Sequence, residues 1–257
     1  MSGIRYTIAV ASRDLRRLRR RPGQVIASVL TPLMLWALLA TSLSGAFNTQ
    51  SSWTYLLVGA TLLAVVFSSV FSCMSLIEDR EEGVARALLI APGSRLALAS
   101  GKTLGASLVA IAQAAALLIA GAIATNTPLS GLVTALLAVA LVSIGASGFG
   151  LTAAWKSGSA RSFHGLVNLV IMPAWALSGA VYPVADASRT LQIIAAGNPL
   201  GWVHTVIADS LAVLDTPPEP NTVAFRLVAL TLFAALGVTA AAAAFNEPNR
   251  PSATPDT

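Results

Sequence analysis

Charge is what this sequence has least of. Its 257 residues include 16 Lys and Arg and 11 Asp and Glu, together 11% of the chain, against roughly 25% in an average soluble domain. With 55% apolar residues and a mean hydropathy of +0.74, that shortage excludes intrinsic disorder. It also argues against a water-soluble enzyme or DNA-binding domain, despite the net charge of +5. One cysteine, Cys73, excludes a disulfide framework and a cysteine-based metal site, and leaves the thiol a packing role. There are two histidines and no His-Glu-x-x-His, so a zinc hydrolase has no support.

The few charges fall in clusters. Between them lie uncharged stretches at 23–77, 103–155, 162–185 and 227–246. A helix needs about 20 apolar residues to cross a hydrocarbon core of about 30 Å, so the stretches hold two, two, one and one spans. Turn-like sequence divides the two longer ones, at Ser44 to Ser52 and at Thr125-Asn126-Thr127-Pro128. The expected fold is an all-α polytopic membrane protein with six transmembrane helices, near Val25 to Leu43, Tyr55 to Ile77, Leu96 to Ala124, Leu129 to Trp155, Phe163 to Val181 and Val223 to Phe245. Thr190 to Ala208 is also uncharged but is broken by Gly197, Asn198, Pro199 and Gly201. It reads as short re-entrant outer helices before the last span.

Basic residues set the orientation, because positive loops stay cytoplasmic. With six spans, 14 Lys and Arg fall on one side and only Arg189 and Arg226 on the other, which predicts that both termini are cytoplasmic. The first apolar run is too long for a signal-peptide core, which argues against cleavage after Ser44-Gly45-Ala46. Ile4, Ile8, Ala11, Leu15 and Leu18 recur at helical spacing with arginines on other faces, predicting an N-terminal amphipathic interfacial helix on membrane lipid. This arginine cluster marks topology, and no nucleic-acid binding is expected.

The loop between the second and third spans holds the most information. It carries Glu78, Asp79, Arg80, Glu81, Glu82, Gly83, Arg86, Leu88 and Pro92. On charge alone it is either a solvated connector or a cytoplasmic docking element. The run Asp79-Arg80-Glu81-Glu82-Gly83-Val84, then Leu88-Leu89-Ile90-Ala91-Pro92-Gly93-Ser94-Arg95 and Gly101-Lys102, resembles the cytoplasmic signature of ABC-2-type permeases, the membrane subunits of ATP-binding-cassette exporters. Leu177-Ser178-Gly179-Ala180-Val181-Tyr182-Pro183 is similar to that family's fifth-helix ending, and Asn198-Pro199-Leu200 to its outer motif before the last helix, so Tyr182, Pro183, Asn198 and Pro199 are expected in an outer re-entrant region. The three matches occur in the family's order and span nearly the whole chain.

The resemblance implies a single transmembrane domain, divided as 1–22 interfacial helix, 23–95 first two spans and coupling loop, 96–181 spans three to five, 182–222 outer region, 223–246 last span and 247–257 cytoplasmic tail. It implies two partners, a cytoplasmic ATP-binding-cassette ATPase subunit and a second permease copy, identical or homologous. ATP and Mg would bind on the ATPase, with no cofactor and no catalytic or metal site on this chain. Glu81, Glu82, Gly83, Arg86 and Leu88 would transmit closure of the ATPase, Pro92 would end the lever, and Lys156 and Arg161 would make a shorter second contact. The chain departs from the commoner pattern at Val84 and Arg86. By resemblance to the drug-resistance and nodulation-factor branches, the cargo is an amphipathic or hydrophobic compound moving outward: a drug-like molecule, a lipid or a glycoconjugate.

Specific residues bear on two other readings. Gly145-Ala146-Ser147-Gly148 matches the Gly-x-Ser-Gly of rhomboid proteases, but Val223 to Phe245 lacks a histidine base. An ion-coupled secondary transporter predicts ionisable groups at mid-membrane, where these spans have none; it keeps Pro173 and the broken Asn198-Pro199 region as a conceivable site. Gly101-Lys102-Thr103 is not a P-loop, since Leu96 stands where its first glycine belongs, and Lys102 reads as an anchor at the inner interface. Met34, Trp36, Phe67, Phe71, Met172 and Trp175 are the soft and aromatic candidates for a substrate pathway, with ordinary packing as the alternative.

Overall fold

The computed structural model describes residues 3–19, positions 23, 26, 30, 32–34, 36–38 and 41, and residues 52–90, 93–157, 159–180, 184, 187–211 and 220–247. All regular structure among them is helical. Ten helices are fully traced among the described residues: α1 (Gly3–Arg19), α2 (Ser52–Phe71), α3 (Met74–Glu81), α4 (Val84–Ile90), α5 (Arg95–Thr125), α6 (Leu129–Lys156), α7 (Ala160–Ala176), α8 (Arg189–Ala196), α9 (Pro199–Ser210) and α10 (Pro220–Ala244). The described positions between 23 and 41 are helical too. The rest of the expected first span, with Pro92, Tyr182, Pro183 and the tail from 248, lies outside the described residues.

Among the described residues, four helical stretches are long and apolar enough to cross a membrane: Thr54–Glu81, Arg95–Thr125, Leu129–Lys156 and Asn221–Ala244. They correspond to the second, third, fourth and sixth expected spans. The fifth is represented by α7, only 17 residues long. Pro173 lies inside that helix, which gives way after Ala176 to a turn with Gly179 at φ +90. Thr54–Glu81 runs through α2 and α3, with a turn at Ser72 and Cys73 where Cys73 N–H bonds the Val70 carbonyl. Asn126 ends α5 in the left-handed region, at φ 52, as a short polar side chain allows.

α2, α5, α6 and α10 form the bundle, with α6 packed along α10 and α5 against α2 and α6. Their contacts use small side chains. α6 meets α10 where Gly145 and Gly148 face Phe233 and Gly237. Hydroxyls join the helices inside: Ser107 donates to Ser147 Oγ at 3.2 Å and Ser147 to the Ser69 carbonyl at 3.4 Å. In an apolar surround such bonds and close backbone approach replace the hydrophobic drive that holds soluble bundles together. Ser147 therefore sits among hydroxyls, while His164 lies against the Phe71 ring and His204 meets Tyr55 edge-on.

α1 also has a protein-covered face that its apolar stripe did not announce. Ile4, Ile8 and Leu15 are exposed, while Tyr6, Val10 and Ala11 are buried. The side chain of Leu18 lies outside the described residues. α5 makes the difference: its Gly101 and Gly105 let α1 approach at Val10, Ala11 and Asp14, and Thr7 Oγ1 donates to the Ala97 carbonyl at 3.1 Å. Helical periodicity locates an apolar stripe; it does not say whether protein covers it.

Candidate functional site

Much of the charged sequence gathers at one end of the bundle. α3 ends where Glu82 N–H bonds the Glu78 carbonyl and Gly83 N–H bonds the Arg80 carbonyl. Gly83 then takes φ +75, a left-handed conformation that glycine adopts without strain, and the chain turns into α4. The result is a helical hairpin. Glu81, Glu82 and Gly83 are exposed at its bend, and Ile90, at the far end of α4, is 86% exposed. Leu88 is half-buried and packs against the core, and the Arg86 side chain lies outside the described residues.

The inner side of the hairpin is held in two directions by neighbouring residues. Arg80 Nη1 donates to the carbonyls of Ala154, Trp155 and Ser157 at 3.3, 2.9 and 3.0 Å, closing the C-terminal end of α6. Its guanidinium also lies 5.5 Å from the Trp155 ring centroid. Asp79 points the other way. Its side chain is 0% exposed and takes Lys102 Nζ at 2.5 Å, Arg13 Nη2 at 2.5 Å and Arg17 Nη1 at 2.9 Å.

The cluster extends on both sides of Asp79. Lys102, 1% exposed in its side chain, also meets Asp14 at 3.1 Å. Arg17 reaches Glu78 at 2.7 Å and the more exposed Glu82 at 3.3 Å. Partial burial of Arg13 opposes its charge, but the hydrogen bond to Asp79 and the nearby Asp79, Asp14 and Glu82 carboxylates prevail and raise its pKa above the ordinary arginine value. Tyr6 ties α1 to the other limb, with its phenol donating to the Leu88 carbonyl at 2.8 Å and its ring against Gly93. Burial pushes that phenol up, against the field of Arg95.

Lys102 is buried between two carboxylates, Asp14 and Asp79. Arg13, Asp14, Arg17 and Tyr6 were not singled out in the sequence. One signal was there: Asp14 is the sole acid among the seven arginines of the first 22 residues. Lys156 and Arg161 are exposed at the same end, with Lys156 3.5 Å from Glu247. The α6–α7 turn reaches the hairpin through the bond from Arg80 to Ser157.

The pathway candidates are only partly assembled. Phe67 and Phe71 have ring centroids 5.2 Å apart, and His164 of α7 continues the stack 5.1 Å from Phe71. Trp175 donates its indole N–H to the Gly59 carbonyl at 3.0 Å. Met172 is exposed on α7, and Met34 is exposed well before α2 in the chain. Trp36 packs instead on Leu57, Ala64 and Leu117.

The motifs at the opposite end do meet. Asn198 caps α9, its Oδ1 accepting from Leu200 N–H at 3.0 Å with Pro199 in the first turn. Its Nδ2 donates to the Ala174 carbonyl at 2.6 Å, a group freed because Ser178 N–H bonds Trp175 instead. Tyr55 Oη donates to the Gly179 carbonyl, fastening the same turn to α2. Asn198→Ala removes both bonds and is expected to lower stability by about 1–2 kcal/mol. Asn198→Asp keeps the cap without the donor and should recover about half of that loss; thermal unfolding of the purified protein in detergent checks both.

The family model described as ABC-2 type transporter matches residues 5–211, which includes α1, the hairpin and the Asn198 region. No curated protein matches the chain.

Proposed function

Because the chain belongs to the ABC-2 type transporter family, we propose that it is the membrane subunit of an ATP-driven exporter, with the α3–α4 hairpin as the docking point for its ATPase. Membership makes it a permease component of an ABC transporter, a family whose permeases associate with an ATP-binding-cassette ATPase subunit. The hairpin carries the finer reading. Acids Glu81 and Glu82 stand exposed at a glycine bend and a large apolar side chain, Ile90, at the far end of α4, while Asp79 and Arg80 hold the back of the same hairpin to the bundle. An exposed lever with a fixed root suits the transfer of a push from a soluble partner. Lys156 and Arg161, beside it, suit the second contact.

In this reading the protein lies in a bacterial inner membrane with the hairpin and both termini cytoplasmic, an orientation that the distribution of basic residues supports. The expected first span, whose described positions from 23 to 41 are helical, and α7 complete six spans, and α8 and α9 form the outer re-entrant pair. The exposed stripe of Ile4, Ile8 and Leu15 lets α1 rest on lipid. ATP and Mg act on the partner subunit.

A second permease copy belongs to this proposal. Arg161, His164, Asn168 and Met172 are exposed at spacings of three and four residues, so they share one face of α7. Hydrocarbon is a poor neighbour for His164 and Asn168. A water-lined path at the junction of two copies would satisfy them, with Phe67 and Phe71 alongside for amphipathic cargo.

Copurification tests the docking. The chain expressed with an ATPase encoded beside it should retain that ATPase, and Glu82→Ala with Gly83→Pro should lose most of it, because proline cannot take a positive φ. Undiminished retention by the altered hairpin would refute the reading.

A further inference from the structure

We propose that Asp79 is the hub through which the hairpin moves α1 and α5 together, making the N-terminal helix a working part of the transmission as well as its lipid anchor. The proposal rests on the exporter reading above and names positioning residues within it. None of them touches cargo or nucleotide.

The geometry is specific. Asp79 belongs to α3, Arg13 and Arg17 to α1, and Lys102 to α5, so one buried carboxylate joins three helices. α1 is also fastened to the other limb of the hairpin, where Tyr6 donates to the Leu88 carbonyl. It therefore straps both limbs: Arg17 holds α3 and Tyr6 holds α4. A displacement of the bend would have to carry α1 with it or break a buried ion pair.

Ion pairs are a poor choice where adhesion alone is needed, since apolar replacements of buried pairs are often as stable or more so. Adhesion between α1 and α5 is already supplied by Val10 and Ala11 against Gly101 and Gly105. What the charges add is register, because Asp79 can accept from Arg13, Arg17 and Lys102 at once in only one relative placement of the helices. A small cavity of about 50 Å³ beside the cluster is lined by Asp14, Arg17, Glu78 and Lys102 and also by Phe71. Through Phe71, which stacks on His164, the hub adjoins the aromatic residues proposed for the pathway.

Two exposed alanines serve as reporters, Ala9 on α1 and Ala87 on α4. Each is changed singly to cysteine, with the buried Cys73 left in place. The full chain with its ATPase, in membrane vesicles with the hairpin side accessible, is treated with a membrane-impermeant maleimide, with and without ATP plus vanadate. Nucleotide is expected to change the labelling rate at both sites. In an Asp79→Asn background the change at Ala87→Cys should persist while that at Ala9→Cys is lost. Arg17→Lys should preserve both responses, and Arg17→Gln should weaken the one at Ala9→Cys only.

A response at Ala9→Cys that survives Asp79→Asn overturns the proposal, as does its absence from the otherwise unaltered complex while Ala87→Cys responds. If Asp79→Asn does not accumulate, the Arg17→Gln and Arg17→Lys pair decides by the same criterion. Silence at Ala87→Cys in the otherwise unaltered complex is a different result: it refutes coupling through the hairpin, and the hub proposal falls with it.

Discussion

Asp79→Ala is expected to destabilise the protein by about 3–5 kcal/mol, the range for removing one partner of a buried ion pair. The effect is large because the groups left behind are cations. Lys102 Nζ would keep only Asp14, and Arg13 and Arg17 would face the vacated space together. Lys102→Ala should be milder, since Asp79 retains both guanidinium groups. The double variant should fall well short of the sum, with a coupling energy of about 1–3 kcal/mol. Thermal unfolding of the four proteins in one detergent gives the cycle. Additive losses would mean that the two charges do not sense one another.

Gly148→Leu ranks next. A side chain at Gly148 would run into the Gly237 backbone, and a Cβ at Gly237 would come within 2.5 Å of the Gly145 carbonyl oxygen. These obstacles are main chain, so no rotamer change relieves them and the helices must separate. Even Gly148→Ala should lower stability by about 1–3 kcal/mol through overpacking, and leucine by more. Gly165 is the control, with nothing within 4 Å of a built Cβ in the middle of α7; Gly165→Ala should raise stability by about 0.5–1 kcal/mol. Melting temperatures in detergent distinguish the two sites. Equal shifts at both would show that helix propensity, and not the α6–α10 crossing, governs the response.

Some elements were legible because their signal is local. Uncharged stretches of helical length located α5, α6 and α10 to within a few residues. The turn at Asn126 and the glycine bend after Glu82 follow from residues that tolerate positive φ. Gly145 and Gly148 are small residues of the kind that allow close helix contact, and α10 is the helix they meet. The Asn198-Pro199 pair read as a break within the outer re-entrant region, but the bond from Asn198 to Ala174 joins residues 24 positions apart, and no local pattern announces it.

The charged loop shows where local reading stops. Glu78, Asp79, Arg80, Glu81 and Glu82 are equivalent as text, a run of charge beside a span. The fold divides them: Glu81 and Glu82 at an exposed bend, Arg80 on the end of α6, Asp79 sealed against α1 and α5. Helical rotation of 100° per residue is enough to send neighbours in opposite directions, and which direction is buried depends on helices far away in the chain. The same limit explains α1, whose most regular apolar stripe is exposed while Tyr6 and Val10 dock.

By itself, then, the sequence determined composition-level and periodic properties: an all-helical membrane chain, the approximate limits of its long helices, and the segment that carries its ABC-2 signature. These depend on hydrophobic length and backbone preference, which each stretch expresses regardless of its neighbours. Only the tertiary structure decided which charges pair, which glycines touch and which face of α1 is covered. Those are properties of pairs of segments, such as Asp79 with Arg13, 66 residues apart, and they arise only when packing sets the distance between them.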